Sequence, residues 1–141
     1  MEAVAKILIT LVAVATGFAP MVADFNATHA TNPLWPPHAR FHVVWQVLCQ
    51  TGVSLFTLFL VWGPPFPGHL LAAAALNFNW ALSFFVTLFN MRRFGGALKD
   101  VNGIKPFRFV VGGRERLVDT NLFGAAVLST LNAAATLLLI L

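Results

Sequence analysis

Phe41 to Met91 reads FHVVWQVLCQTGVSLFTLFLVWGPPFPGHLLAAAALNFNWALSFFVTLFNM, 51 residues without one Asp, Glu, Lys or Arg. A transmembrane helix needs about 20 mostly apolar residues, so this run is too long for one crossing. It is cut by Gly63-Pro64-Pro65-Phe66-Pro67-Gly68. Proline lacks an N–H and clashes with the preceding turn, so no helix propagates through that segment. The reading is two membrane helices joined by a tight connection. Ile7–Ala23 and Thr120–Leu141 are also free of charge. The chain is therefore expected to form an all-α, four-transmembrane-helix bundle, with helices at about 3–22, 38–62, 69–90 and 120–141. Each helix satisfies its own backbone in lipid.

Composition supports this. Hydrophobic residues make up 58% of the 141 and charged residues 10%, where a soluble domain carries about 25% charged. Mean hydropathy is +0.78. The chain cannot cover its surface with polar groups in water, and it is far too apolar for disorder. Residues 1–141 read as one integral membrane domain without repeats, with a His/Pro-rich loop at 23–37 and a basic loop at 91–119. A cleaved signal peptide is the other reading of the first helix, but its apolar stretch is long for that role. A retained helix is expected.

Eight of the nine basic residues, all but Lys6, lie in the two long connections, seven of them between Arg92 and Arg116. The positive-inside rule places both connections in the cytoplasm and both termini outside, in a plasma, inner or ER membrane. That explains the pI near 10.3 without nucleic acid, for which no aromatic-basic motif appears. Lone Cys49 reads as a small buried apolar residue.

The loop Asp24–His42 is the most polar part of the chain: D-F-N-A-T-H-A-T-N-P-L-W-P-P-H-A-R-F-H. Three of the four histidines fall in it, beside Asp24, Asn26, Asn32 and Arg40. Its prolines and aromatics suit a packed loop folded against the bundle. His38 and His42 share one helix face that continues through Trp45, Gln46 and Cys49. Helix 3 carries the stripe Asn79, Ser83, Thr87 and Asn90, and helix 4 carries Ser129, Asn132 and Thr136. Such residues tend to face a bundle interior, which predicts a polar pocket rimmed by the loop.

Three chemistries fit. Asp24, His29, His38 and His42 supply N and O ligands for Zn or Fe. Alternatively, His38 or His42 moves a proton while Asp24 orients the ring. In the third reading the histidines only hydrogen-bond backbone and water at the interface. Elsewhere, Asn26-Ala27-Thr28 matches the glycosylation sequon but reads as a turn on the cytoplasmic side. Gly95-Gly96 reads as the exit from helix 3. Gly112-Gly113 lies between Phe107–Val111 and Arg114–Val118 as the turn of a short β-hairpin in the helix 3–4 connection. His69 reads as a structural cap, and Glu2 and Lys6 as a pair.

The stretch D-x-N-x-T-H-x-x-N-P-x-W-P-P-H-x-R-F-H, Asp24 through His42, resembles the signature of short bacterial and fungal four-helix membrane proteins without an assigned function. More distantly, the architecture is similar to the EXPERA group of sterol isomerases and sigma-2-type receptors. That resemblance implies acidic or histidine side chains in a pocket, shifting a double bond or binding a sterol-like amine. His38-x3-His42 followed by Trp45 is similar to their histidine–glutamate helix face, with the glutamate missing.

The expected function is a small membrane enzyme acting on an isoprenoid-, sterol- or quinone-like molecule by isomerase-like or metal-assisted chemistry. Asp24, His29, His38 and His42 would be the catalytic or metal-binding groups, and Arg40 would hold developing negative charge. Trp35, Trp45, Gln46, Asn79, Trp80 and Ser83 would bind substrate. The alternative is a non-catalytic lipid- or ligand-binding protein or an accessory subunit meeting its partner through Phe84, Phe85 and Phe89; the expected partners are the bilayer, a hydrophobic small molecule and, in a homo-oligomer, further copies of the chain. A transporter is weaker, since no charge sits at mid-membrane.

Overall fold

A computed structural model describes residues 1–141. Its elements are α1 (Glu2–Asp24), α2 (Pro37–Trp62), α3 (His69–Asn90), β1 (Phe107–Val111), β2 (Arg114–Val118) and α4 (Thr120–Ile140). A single 3-10 turn, Met91–Phe94, extends α3. All four helices are long and apolar enough to cross a membrane. The shortest, at 21 residues, spans about 30 Å.

Local chemistry sets the ends. Pro37 occupies the first position of α2, where its missing N–H is no loss. Gly63 stops α2 before the two prolines, and Gly68, at φ +82°, starts α3. Gly95 ends the 3-10 turn at φ +68°. The Asp119 carboxylate accepts from the amides of Asn121 and Leu122, at 2.9 and 3.1 Å, and so caps α4. Gly112 and Gly113 both have positive φ, which a two-residue hairpin turn requires. Arg108 and Glu115 pair across the strands at 3.4 Å. Phe107 and Phe109 dock on Phe123 of α4.

The helices form a bundle in which α1 adjoins all three others and α3 bridges α2 to α4. Lipid tails are as apolar as leucine, so close contact rather than hydrophobicity must hold membrane helices together. Accordingly the inner faces are small: Ala5, Ala13 and Gly17 on α1, Ala73, Ala74 and Ala81 on α3, Ala125 and Ala135 on α4. At Gly17 the backbone of α1 lies directly on Ser54 of α2, and the Thr51 hydroxyl donates to the Gly17 carbonyl at 2.7 Å. Deeper, the Asn77 amide donates to the Ile9 carbonyl (3.1 Å) and to Asn132 (3.3 Å), while Asn132 donates to the Ala74 carbonyl (2.9 Å). Three helices are thus joined by two side chains.

The hairpin and four helices are those the sequence predicts, but several side-chain placements differ. Asn79, Ser83 and Thr87 lie on the exposed surface of α3. The inward face is instead Leu70, Ala73, Ala74, Asn77 and Ala81, because only alanines let α1 and α4 approach closely enough. Of the helix 4 stripe, Asn132 is buried and Ser129 and Thr136 are half-buried. Cys49 is exposed on α2, not buried, since that helix turns Val47, Ser54 and Thr57 inward. His69 Nδ1 donates to the Leu60 carbonyl at 2.7 Å, so it closes the end of α2 as expected of a cap. Glu2 and Lys6 pair at 3.1 Å.

Candidate functional site

The connections 25–36 and 91–119 meet at one end of the bundle and form a polar cap. It is built outward from the last turn of α1. Asn26 donates to the carbonyls of Val22 and Ala23, at 3.0 and 2.9 Å, satisfying groups that a helix end leaves open. Its carboxamide oxygen accepts from the Thr28 amide (2.8 Å) and the Thr28 hydroxyl (2.7 Å), which is the Asx turn expected of the sequon. That turn brings His29 back over Asp24.

His29 Nδ1 lies 2.8 Å from the Thr28 hydroxyl and 3.3 Å from Asp24 Oδ1. The Thr28 hydroxyl proton has two acceptor oxygens within reach, Asn26 Oδ1 at 2.7 Å and the Ala23 carbonyl at 3.1 Å. The Thr28 oxygen can then accept from an Nδ1–H. A proton on Nδ1 suits this network, since Nδ1 faces both the Thr28 hydroxyl and the Asp24 carboxylate. Both side chains of the pair are about one-fifth exposed, 20% for His29 and 21% for Asp24. The edge of Trp35 meets the His29 ring at 5.2 Å between centroids.

The second connection closes on the first through two contacts. Trp35 Nε1 donates to Asp100 Oδ2 at 2.6 Å. Asn32 and Asn102 exchange amide hydrogen bonds at 3.0 and 3.1 Å. Asp100 and Asn102 are the site residues that sequence reading missed. Their signal was weak: Asp100 is the first acidic residue in a connection dominated by Arg and Lys.

The indole N–H, helped by the amides of Val101 and Asn102 and by the His29 ring, holds the Asp100 carboxyl below its ordinary value of 3.8 against a desolvation that raises it. A depressed carboxyl stabilises the closed cap at pH above 3.8, and that contribution disappears as pH falls through the lower folded value. The loop-to-loop contact is therefore expected to be constant from pH 5 to 8 and to weaken only as pH falls below 3.8. Trp35 fluorescence, read as wild type minus Trp35→Phe, should show this acid step, and Asp100→Asn should remove it. An unchanged step in Asp100→Asn would assign the transition elsewhere.

Not all predicted residues converge. His38 and His42 pair with each other, Nε2 to Nε2 at 3.0 Å, on the exposed start of α2 beside Phe41 and Trp45. They do not join Asp24 and His29, and no group of three or more His, Cys, Asp or Glu is placed to hold a metal. The four-ligand site predicted for Asp24, His29, His38 and His42 is thus replaced by two separate pairs. The cause is the stiff Pro33-Leu34-Trp35-Pro36-Pro37 segment between them, which separates α2's first turn from the Asx turn. Arg40 is half-buried. Trp45 (55% exposed), Gln46, Asn79 and Ser83 face outward, and Trp80 is half-buried against Phe84. These do not line a common pocket with His29. Phe84 and Phe85 are half-buried and Phe89 is 79% exposed.

An open cleft of about 550 Å³ lies where the connections meet, between Asn26 and Thr28 on one wall and residues 101–105 on the other. Thr28 links it to His29. Four apolar helices with a polar, hydrogen-bonded cap over one end define a small four-helix membrane protein. Within that class the chain belongs to a family of unknown function, DUF6640, whose model matches residues 8–105. The match takes in the Asp24–His42 stretch together with Asp100 and Asn102. No curated protein and no solved structure matches the chain.

Proposed function

We propose that this protein is a membrane enzyme that moves a proton on a lipid-soluble substrate of isoprenoid, sterol or quinone type, with His29 as acid–base group. The observation carrying this reading is the Asp24–His29–Thr28 arrangement, which adjoins the cleft through Thr28 on its wall. Imidazole is the side chain suited to taking and returning a proton near neutral pH. Here Nδ1 is held by Thr28 and Asp24, which leaves Nε2 as the ring atom that exchanges the proton. Asp24 stabilises the imidazolium once the proton has been taken, the role a carboxylate has beside any catalytic histidine. Thr28 fixes the ring. His38, His42 and Arg40 stand at the mouth of α2 as interface groups. The cap end carries eight of the nine basic residues, and the positive-inside rule puts it in the cytoplasm.

Solvent-deuterium exchange tests this whatever the product. Purified protein in maltoside micelles is incubated in D2O with unsaturated isoprenoids, sterols and quinones, and each is weighed by mass spectrometry. Wild type should incorporate deuterium or shift a double bond in one class. His29→Gln should slow this by about 10²–10⁴-fold, while His38→Ala/His42→Ala should retain it. Full exchange in His29→Gln, or none with any substrate in wild type, would remove the proposal.

A second reading rests on the completeness of the cap's hydrogen bonding. Thr28, Asn32, Trp35 and Asn102 all have partners, which also suits a non-catalytic ligand-binding protein or an accessory subunit. In that case ligand binds and no deuterium is incorporated.

A further inference from the structure

We infer that the cleft beside His29 takes an anionic, phosphate-type headgroup, with Lys105 as its cation. This rests on the proposed function in that the same cleft receives the substrate. The neutral side chains on its walls are already committed. Asn26 donates to Val22 and Ala23 and accepts from Thr28. Asn102 donates to Asn32 and to the Ala27 carbonyl. They shape the cleft and have little left to offer a neutral hydroxyl.

Different groups remain free. Lys105 lines the cleft and is absent from the chain's three ion pairs. Its carbonyl is held by the Thr120 hydroxyl at 2.7 Å, which anchors the backbone at that residue, while the side chain is exposed. The backbone N–H groups of Ile104 and Lys105 enter no hydrogen bond. An ammonium with adjacent free amides, and no carboxylate among the cleft's lining residues, suits an anion with several acceptor oxygens. At about 550 Å³ the cleft falls in the size range of ligand sites, roughly 300–1,000 Å³.

The adjoining helix surface argues for a headgroup on a lipid. Ala23, in the last turn of α1, forms part of the cleft wall, and its neighbour Val22 is 82% exposed on the surface of a membrane-length helix. A ligand whose phosphate sits at Lys105 can therefore lay its hydrocarbon along α1, within the bilayer. The same chemistry could come from free phosphate, and the test separates the two.

Tryptophan fluorescence of the whole protein in phosphate-free maltoside buffer is titrated with dioleoyl phosphatidic acid, with dioleoylglycerol, and with inorganic phosphate. Phosphatidic acid should bind saturably, and dioleoylglycerol at least tenfold more weakly. Lys105→Gln should weaken phosphatidic acid by about tenfold, the loss of one charge-assisted bond. Lys99→Gln, which removes an equal charge outside the cleft, should change it less than twofold. Inorganic phosphate binding as tightly as phosphatidic acid would assign the site to the free anion and overturn the lipid. Equal affinity for dioleoylglycerol, or equal losses in Lys105→Gln and Lys99→Gln, would overturn the anion site itself. The titration reads binding without turnover and the deuterium assay reads turnover, so failure of the proton-transfer reading leaves this result standing, and the reverse.

Discussion

Gly17→Ala is expected to lower the thermal midpoint of the detergent-solubilised protein by roughly 5 °C or more, with loss of monodisperse material. A Cβ at position 17 would fall on the Cβ and Oγ of Ser54, well inside any real contact distance. Neither helix can yield locally. Thr51 and Ser54 both belong to the face of α2 that meets α1, and the Thr51 hydroxyl is bonded to the Gly17 carbonyl itself. Overpacking of this kind costs about 1–3 kcal/mol, more where the backbone must move. The compensating change is specific. In Gly17→Ala/Ser54→Gly the offending atoms are gone and the next neighbour, Ser54 Cα, stands at 3.8 Å, an ordinary contact. Ser54→Gly alone should destabilise, since glycine inside a helix costs about 1 kcal/mol. The double variant should nonetheless melt above Gly17→Ala. Additive losses would mean that this crossing does not hold α1 to α2.

That crossing shows why the fold was legible in the sequence and its interior only partly so. Helix number follows from lengths of charge-free chain and from prolines at 64, 65 and 67, both of which act locally. The hairpin follows from Gly112-Gly113, again a local requirement. Which face of each helix turns inward depends on neighbours, and in a membrane the apolar residues no longer mark it. The polar stripe Asn79, Ser83 and Thr87 looks like an inner face by ordinary periodicity, yet Asn77 is the buried residue. Small size was the better guide: Ala73, Ala74 and Ala81 share the face with Asn77.

The site divides in the same way. Asp24 with His29 is close in sequence, and the Asx turn at Asn26 brings the two together. His38 and His42 are one helix turn apart and share a face, where they pair with each other. Their union into one metal centre required knowing the path of the proline segment between them, which depends on tertiary packing. Asp100 and Asn102 contact partners 65 and 70 residues away, and no local pattern announces them.

Asn32→Ala is expected to open the cap while leaving the bundle folded. Asn32 is fully buried and uses both ends of its amide twice. It donates to the Thr28 carbonyl and to Asn102 Oδ1, both at 3.0 Å, and accepts from the Leu34 amide at 2.9 Å and from Asn102 Nδ2 at 3.1 Å. Alanine would leave these groups without partners, at about 1–3 kcal/mol for each that stays buried. Opening the connections to water is the cheaper response, because none of the cap's contacts belongs to the helix crossings. Hydrogen exchange should therefore accelerate at least tenfold at Leu34 and Trp35, with the amides around Gly17 and Asn132 unchanged. Asn32→Asp should fare no better, since it keeps both acceptors but sets oxygen against the Thr28 carbonyl and Asn102 Oδ1. Asn102→Ala should be milder, as Asn102 is only half-buried and water can replace it. The functional consequence separates the roles of the cap. His29→Gln should chiefly cost deuterium exchange and Lys105→Gln chiefly anion affinity, whereas Asn32→Ala should lose both, because it releases the two walls of the cleft from each other. Retention of both activities in a variant with an open cap would show that neither His29 nor Lys105 depends on the contact between the two connections.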